Sequence, residues 1–307
     1  MRLAGKEKGG FYPTPHDTLA EIVRHIAFTA KPTRILDPCA GKGEAITRVA
    51  ERAPSLNRVE VLMVENNPWH HRDIEYRIDR HDLKAQALSA AWEDVVLSQE
   101  SVGLLWLNPP YDWEAIKVES DDPSKLSKLV TERVEYTFLK NSTPKLQPGG
   151  LLVYIVPLSV IQRIQVLRYL SIHYENFQVF SAPDPEYDDY DQVVLFGVKK
   201  AAPTPEPETL TWLTEQVATR PTPLNEATSA ADFTYTLPEA PEKYVFRKLQ
   251  LTYEETAALV EKHGAHLEPA WTTWAAPKAQ TSFRPAAPPK LGHVATFITS
   301  GMFGDEG

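Results

Sequence analysis

The chain has 307 residues, a net charge of −9, one cysteine and a hydrophobic fraction of 42%. That length holds one large domain with an appendage, or two domains. A single cysteine, Cys39, excludes a disulfide framework and a multi-thiolate zinc site and fits a reducing, cytoplasmic setting; the excess of acid counts against tight stand-alone DNA binding, where neutralised phosphates supply much of the affinity. No window of about 18 apolar residues appears, so no membrane span is expected. The N-terminal MRLAGKEKGG is too polar for a signal peptide.

The first predicted element lies in GGFYPTPHDTLAEIV, Gly9 to Val23. It reads as the entry to an amphipathic helix, with Thr14 as N-cap, Pro15 at the first helical position and Asp17 at the capping-box position. TRILDPCAGKGEAI, Thr33 to Ile46, reads as a strand ending at Asp37, a small-residue loop and a helix start. RVEVLMVENNP is a β-branched strand closing on Glu65. SVGLLWLNPPY is a third apolar strand that stops at Asn108-Pro109-Pro110-Tyr111. Val130 to Leu146 reads as helix, GGLLVYIVPLSVI as strand and IQRIQVLRYLSIHY as helix. The segment from Phe177 to Lys200 reads as a closing antiparallel pair. Strands alternating with helices of this length imply a mainly parallel sheet covered on both faces.

From Ala201 the texture changes. Residues 201–242 are rich in Pro, Thr and Glu and read as extended linker with little packing capacity. Residues 243–307 read as a small C-terminal extension, with one helix over TYEETAALVEKHG capped by Thr252 and closed by Gly264.

Two loops carry the chemistry. Glycines at a strand end, here Gly41 and Gly43, let backbone approach a ligand closely. The dinucleotide fingerprint fails because Ile46 stands where a third glycine is required, and Gly41-Lys42-Gly43 is not a phosphate loop. Glu65, roughly twenty residues on, is an acidic group suited to the two hydroxyls of a ribose. Asp79 and Asp82 each offer a carboxylate for an adenine amino group, and Asp82 is favoured because Leu83 follows it. The double proline cannot continue a sheet or enter a helix interior. It fixes the Asn108 side-chain carbonyl and the Pro109 carbonyl as two acceptors. Tyr111 offers a flat face beside them. Two acceptors on the hydrogens of a planar exocyclic amine favour a pyramidal nitrogen and free its lone pair. His70 and His71 read as a solvated turn, and no metal site is expected.

These motifs resemble a known family. DPCAGKGE, then VEN, then NPPY is similar to the class I S-adenosylmethionine-dependent methyltransferases, in particular the amino-methylating N6-adenine DNA methyltransferases. FYPTP ahead of the glycine loop is similar to the cofactor-contacting motif of their gamma type. The resemblance covers residues 1–200 and implies a Rossmann-like α/β domain with a mainly parallel seven-stranded sheet, followed by a short Pro-rich extension. It implies S-adenosylmethionine as cofactor. Tyr12, Pro13 and Thr14 would touch it; Asp37, Ala40, Gly41 and Gly43 would line its methionine end. Glu65 and Asn66 would hold the ribose, Asp82 the adenine amine, and Asn108 would sit between cofactor and target. Asn108, Pro109, Pro110 and Tyr111 would grip and stack a base flipped out of the helix. The implied target is adenine in DNA, in a restriction–modification or phage-defence setting. RNA is the alternative, as is a subunit whose protein partner supplies nucleic-acid recognition, because the region after residue 200 does not resemble a target-recognition domain. A protein glutamine methyltransferase carries a helical domain ahead of the glycine loop, and only about thirty-four residues precede it here. A non-catalytic scaffold of the same fold would not need Asp37, Glu65 and Asn108–Tyr111 together.

Overall fold

A computed structural model describes residues 13–118 and 128–249, apart from 185–186, 189–190 and 228–232. The described residues belong to one compact unit that ends at Gln250. Tyr12 and the helix expected over TYEETAALVEKHG lie outside them.

The strands in chain order are β1 (Ile26–Ala27), β2 (Thr33–Asp37), β3 (Val59–Glu65), β4 (Ala85–Ser89), β5 (Val95–Leu97), β6 (Val102–Leu107), β7 (Trp113–Val118), β8 (Lys128–Arg133), β9 (Leu146–Pro157), β10 (Tyr174–Ser181), β11 (Gln192–Lys199), β12 (Tyr235–Thr236) and β13 (Phe246–Lys248). The helices are α1 (His16–Arg24), α2 (Glu44–Ala50), α3 (Pro68–His81), α4 (Val134–Ser142), α5 (Leu158–Ile161), α6 (Ile164–His173) and α7 (Pro207–Gln216). Seven strands form the main sheet in the order β10-β11-β9-β6-β2-β3-β4. The pairs among β9, β6, β2, β3 and β4 are parallel. β11 runs antiparallel to both β9 and β10. The mainly parallel sheet expected from the alternating pattern is therefore present, with the seven strands that the resemblance implies and the antiparallel pair where it was expected.

Central strands of such a sheet are covered on both faces and read as unbroken apolar runs. Every residue of β2 and β6 is buried. Side chains alternate between two cores. Leu36, Leu105 and Leu107 pack on one side with Leu139, Leu167 and Leu170, which α4 and α6 supply. Ile35, Leu104 and Trp106 pack on the other with Ile22, Ile46 and Ile74, from α1, α2 and α3.

Three local readings change. First, Thr14 does not cap α1. The N-cap is Pro15, without a side-chain cap bond, and the Thr14 hydroxyl accepts from Asn108 Nδ2 at 3.2 Å. Second, the helix expected from Val130 begins only at Val134. The residues before it form β8, which pairs antiparallel with β7 as a hairpin inserted directly after the double proline. Third, the stretch expected as a Pro-rich linker, residues 201–242, and the first residues of the expected extension, 243–249, are seated on the domain. α7 buries Leu213, and Leu224 and Leu237 are also buried. β12 pairs with β1 and β13 pairs with β5. Thr33 Oγ1 donates to the Pro238 carbonyl at 2.9 Å, and the Arg34 guanidinium lies 3.5 Å from the Tyr244 ring centre while bonding Glu60 at 2.8 Å. Isolated apolar anchors spaced through Pro-rich sequence hold this strap without a periodic pattern of their own. No helix among the described residues is long and apolar enough to cross a membrane.

Candidate active site

The order of the sheet dictates where a ligand can sit. Successive connections lead from β2 outward to β3 and β4, and then back across to β6 on the other side of β2. A crevice opens at such a reversal, outside the carboxyl ends of the strands. A cavity of about 630 Å³ lies there, within the common range for ligand sites.

Most of the cavity wall comes from strand ends. β2 delivers Asp37, Pro38, Cys39 and Ala40; β3 delivers Glu65, Asn66 and Asn67; the loop after β4 delivers Ala90–Glu93; β6 delivers Trp106, Asn108 and Pro110. Pro13 and Thr14 close one side, and Val134 and Phe138 of α4 another. Of the residues expected at the cofactor, Pro13, Thr14, Asp37, Ala40, Glu65, Asn66 and Asn108 line this cavity, as does Pro110 from the catalytic set.

The turn after β2 is held by its own carboxylates. Asp37 Oδ1 accepts from the Cys39 backbone N–H at 3.0 Å. Glu65 accepts from Gly41 N–H at 2.8 Å and from Asn67 N–H at 2.7 Å, so the ends of β2 and β3 are tied together by one side chain. Gly41 and Gly43 have φ of 53° and 74°, left-handed values that favour glycine. A Cβ on Gly43 would also lie 3.1 Å from Ile74 Cγ1. The two glycines thus shape the turn and let α2 approach α3.

Burial pushes Asp37 up to about 7; the Cys39 N–H opposes this and the charge of Glu65 adds to it. Burial, with Asp37 and Glu65 nearby, pushes the Cys39 thiol well above its usual range. The thiol therefore stays protonated and donates to the Asn108 carbonyl at 3.4 Å; it is not an activated nucleophile.

Asp82 does not reach the site. It closes α3 with a left-handed backbone, φ 48°, and precedes β4, at the far end of the strands from the cavity. The misplacement follows from reading Leu83 as a strand end when the strand is Ala85–Ser89. The carboxylate that lines the cavity after β4 is Glu93, beside the buried Trp92. Its sequence signal is QALSAAWED: a short alternating strand, then small residues, then an acid, repeating the strand-end acids of β2 and β3.

The double-proline turn is braced from three directions. Asn108 Nδ2 donates to Thr14. Tyr111 OH donates to Asn108 Oδ1 at 3.1 Å, and Gln192 Nε2 donates to Tyr111 OH at 2.6 Å. Gln192, the first residue of β11, is wholly buried. Pro109 is buried beneath the turn. Below it, Tyr154 OH donates to the Glu135 carbonyl at 2.9 Å, and the fully buried Glu135 carboxylate pairs with Arg133. Burial raises Glu135 above the usual carboxylate range, against the pull of Arg133.

Sheet order and strand-end cavity define the class I S-adenosylmethionine-dependent methyltransferase fold. A Listeria monocytogenes protein described as a class I S-adenosylmethionine-dependent methyltransferase superimposes with a TM-score of 0.53 at 14% identity, over 69% of this chain and 73% of that one. The methyltransferase subunit of a type I restriction–modification system from Streptococcus thermophilus gives a TM-score of 0.48 at 15% identity, over 78% of this chain and 61% of that one. No curated protein matches the chain. Residues 1–240 match the family described as "Uncharacterised methyltransferase family (DUF6094)", and the chain belongs to that family.

Proposed function

We propose that the protein transfers the methyl group of S-adenosylmethionine to the exocyclic N6 amine of adenine in DNA. The observation that carries this reading is Asn108. Its side chain stands on the wall of the cavity, at the end of β6, with a proline on either side of the next peptide bond.

The cavity suits this cofactor chemically. Its walls present the carboxylates of Asp37, Glu44, Glu65 and Glu93 against Lys42 and His70. That balance favours a ligand carrying a sulfonium and an ammonium and disfavours a polyphosphate. Asp37 would face the cationic amino-acid end, Glu65 the ribose hydroxyls, and Trp92 with Glu93 the adenine. When bound, the cofactor supplies a methyl group on positively charged sulfur.

The protein's part is positioning. Asn108 Oδ1 and the Pro109 carbonyl accept the two N–H bonds of the target amine. The nitrogen becomes pyramidal, and its lone pair forms the new N–C bond as the methyl's old bond breaks. One N–H proton then leaves through the same acceptors, so no strong base is needed. Rigid acceptors aimed at charge that develops only in the transition state lower the barrier without reorganising.

A second reading keeps this chemistry within a larger complex. The net charge of −9 and the acidic stretch Pro183–Gln192 favour a partner that supplies the nucleic-acid contacts. The test is transfer of labelled methyl to adenine-containing DNA, RNA and protein, with calorimetry of cofactor binding beside it. Label in DNA that Asn108→Ala abolishes supports the reading. Label in RNA or protein moves the substrate. Undiminished transfer by Asn108→Ala removes the proposed site, and absent cofactor binding removes the enzyme.

A further inference from the structure

S-adenosylmethionine carries several groups that suit a carboxylate: its sulfonium, its ammonium and its ribose hydroxyls. It carries a single anion, the carboxylate of its amino-acid end. Asp37, Glu65 and Glu93 all line the cavity, and like charges repel unless a cation stands between them. The anion therefore needs a cationic partner on the wall.

Among the described residues, the basic side chains that line the cavity are those of Lys42 and His70. The His70 ring lies 3.9 Å from Glu65 Oε1, on the wall assigned to the ribose. Lys42 belongs to the turn after β2. It stands between Gly41 and Gly43, whose left-handed φ values of 53° and 74° bend the chain sharply. The Lys42 carbonyl accepts from Arg77 Nε at 3.0 Å. The Lys42 ammonium has no hydrogen bond or ion pair among the described residues. Glu44, another residue of the cavity wall, has its Oε2 3.7 Å from Arg77 Nη2. A single guanidinium from α3 thus ties the turn by its backbone and draws off the charge of Glu44. Lys42 is left as a cation with no acid of its own. An amino-acid end carries an ammonium and a carboxylate on one carbon, and this one turn carries an acid and a base, Asp37 and Lys42.

We propose that Lys42 binds the carboxylate at the amino-acid end of the cofactor, and that Arg77 is a positioning residue that holds the Lys42 turn and keeps Glu44 from competing for its charge. The proposal rests on S-adenosylmethionine as the cofactor, with Asp37 facing the ammonium. It adds that the protein recognises the carboxylate itself, through a lysine in the glycine turn, and does not bind the ligand by its adenosine and sulfonium alone.

The test is calorimetry of the full chain with two ligands, S-adenosylmethionine and its decarboxylated form, which keeps the sulfonium, the amine and the adenosine. Lys42→Met removes the charge and keeps the apolar stem. It is expected to weaken S-adenosylmethionine about three- to tenfold, the size expected of a solvent-accessible charged pair. Affinity for the decarboxylated ligand should stay within about twofold or rise, because a cation facing a cationic ligand has been removed. Lys42→Arg should recover most of the loss. Arg77→Met should weaken S-adenosylmethionine by a few-fold, and a Glu44→Gln background should shrink that effect. Equal losses for the two ligands in Lys42→Met overturn the proposal and make Lys42 a residue that shapes the turn. Unchanged affinity for S-adenosylmethionine in Lys42→Met overturns it as well and makes Lys42 an ordinary surface lysine. Wild-type binding of neither ligand removes the cofactor, and this assignment with it. Wild-type binding without the Lys42 dependence removes the assignment alone. Lys42 is exposed, so its variants are expected to unfold at the wild-type temperature.

Discussion

The two halves of the cleft are built differently. On the side of β2, β3 and β4, the main walls are strand ends, each followed at once by its own loop. Asp37 ties Cys39, and Glu65 ties Asn67, each two residues on. On the side of β6, β9 and β11, the key side chain is held by groups remote in sequence. Thr14 is 94 residues from Asn108, and Gln192 is 81 from Tyr111. The first half is a set of local turns brought side by side by the sheet and joined where Glu65 accepts from Gly41. The second is a tertiary assembly around one rigid dipeptide. Under the proposed function the first is the cofactor half, where loss of one contact should act gradually, and the second is the target half, which depends on a single geometry.

The comparison is broken most directly at Asn108. Asn108→Ala removes the acceptor without touching the carboxylates of the other half. Methyl transfer is expected to fall by about a thousandfold or more, the scale seen when one preorganised group is lost from a transition-state site. Cofactor affinity measured by calorimetry should change by no more than about tenfold. An equal loss in both measurements would mean the two halves are not separable.

Glu65→Gln is the converse and should be smaller. The charge-assisted bonds from Gly41 and Asn67 become neutral ones, and the ribose loses its charged acceptor. Cofactor affinity should drop about 10- to 100-fold, in line with roughly 1.5–3 kcal/mol for hydrogen bonds to a charged group. The rate at saturating cofactor should stay within a few-fold of wild type.

A pH series sharpens the same half. Asp37 titrates at about 7 in the ligand-free protein, where burial disfavours its charge. A cationic ligand favours the charged carboxylate. Binding below pH 7 must therefore expel a proton, and affinity should weaken at least about tenfold between pH 7.5 and 5.5. Asp37→Asn should flatten that dependence. For the ligand-free fold the sign is opposite. The unfolded chain ionises near 3.8 and the folded one near 7, so this group's contribution to stability falls as pH rises between those values.

The same division explains what the sequence made legible. DPCAGKGE, VEN and NPPY each pair a strand end with its own loop, so the walls they form were readable residue by residue. Gln192 was not, because nothing in YDQVVLF distinguishes a buried amide facing Tyr111 from an ordinary strand start. Thr14 was read as a helix cap, a role its residue type suits, but its hydroxyl is engaged by Asn108. Residues 201–242 read as linker because Leu213, Leu224 and Leu237 are single anchors with no period between them. Asp82 was misassigned for a simpler reason: the weak strand β4 was not recognised, so the nearest acid before it stood in for the acid after it.

That last correction gives the smallest and most discriminating effect. Asp82 has its backbone in the left-handed region, and its N–H closes α3 onto Asp79 and Ile78 carbonyls. Asp82→Asn keeps a residue that tolerates this conformation and removes only the charge. Cofactor affinity should then remain within about twofold of wild type. Glu93 lies on the cavity wall beside Trp92. Glu93→Gln should weaken cofactor binding by about three- to tenfold, the size expected for one solvent-accessible hydrogen bond to a charged acceptor. Measured side by side by calorimetry, the two variants compare one end of β4 with the other. A loss at Asp82 that matched the loss at Glu93 would mean that the cofactor half is not built from strand ends after all. The distinction between the two halves of the cleft would then have to rest on the target side alone.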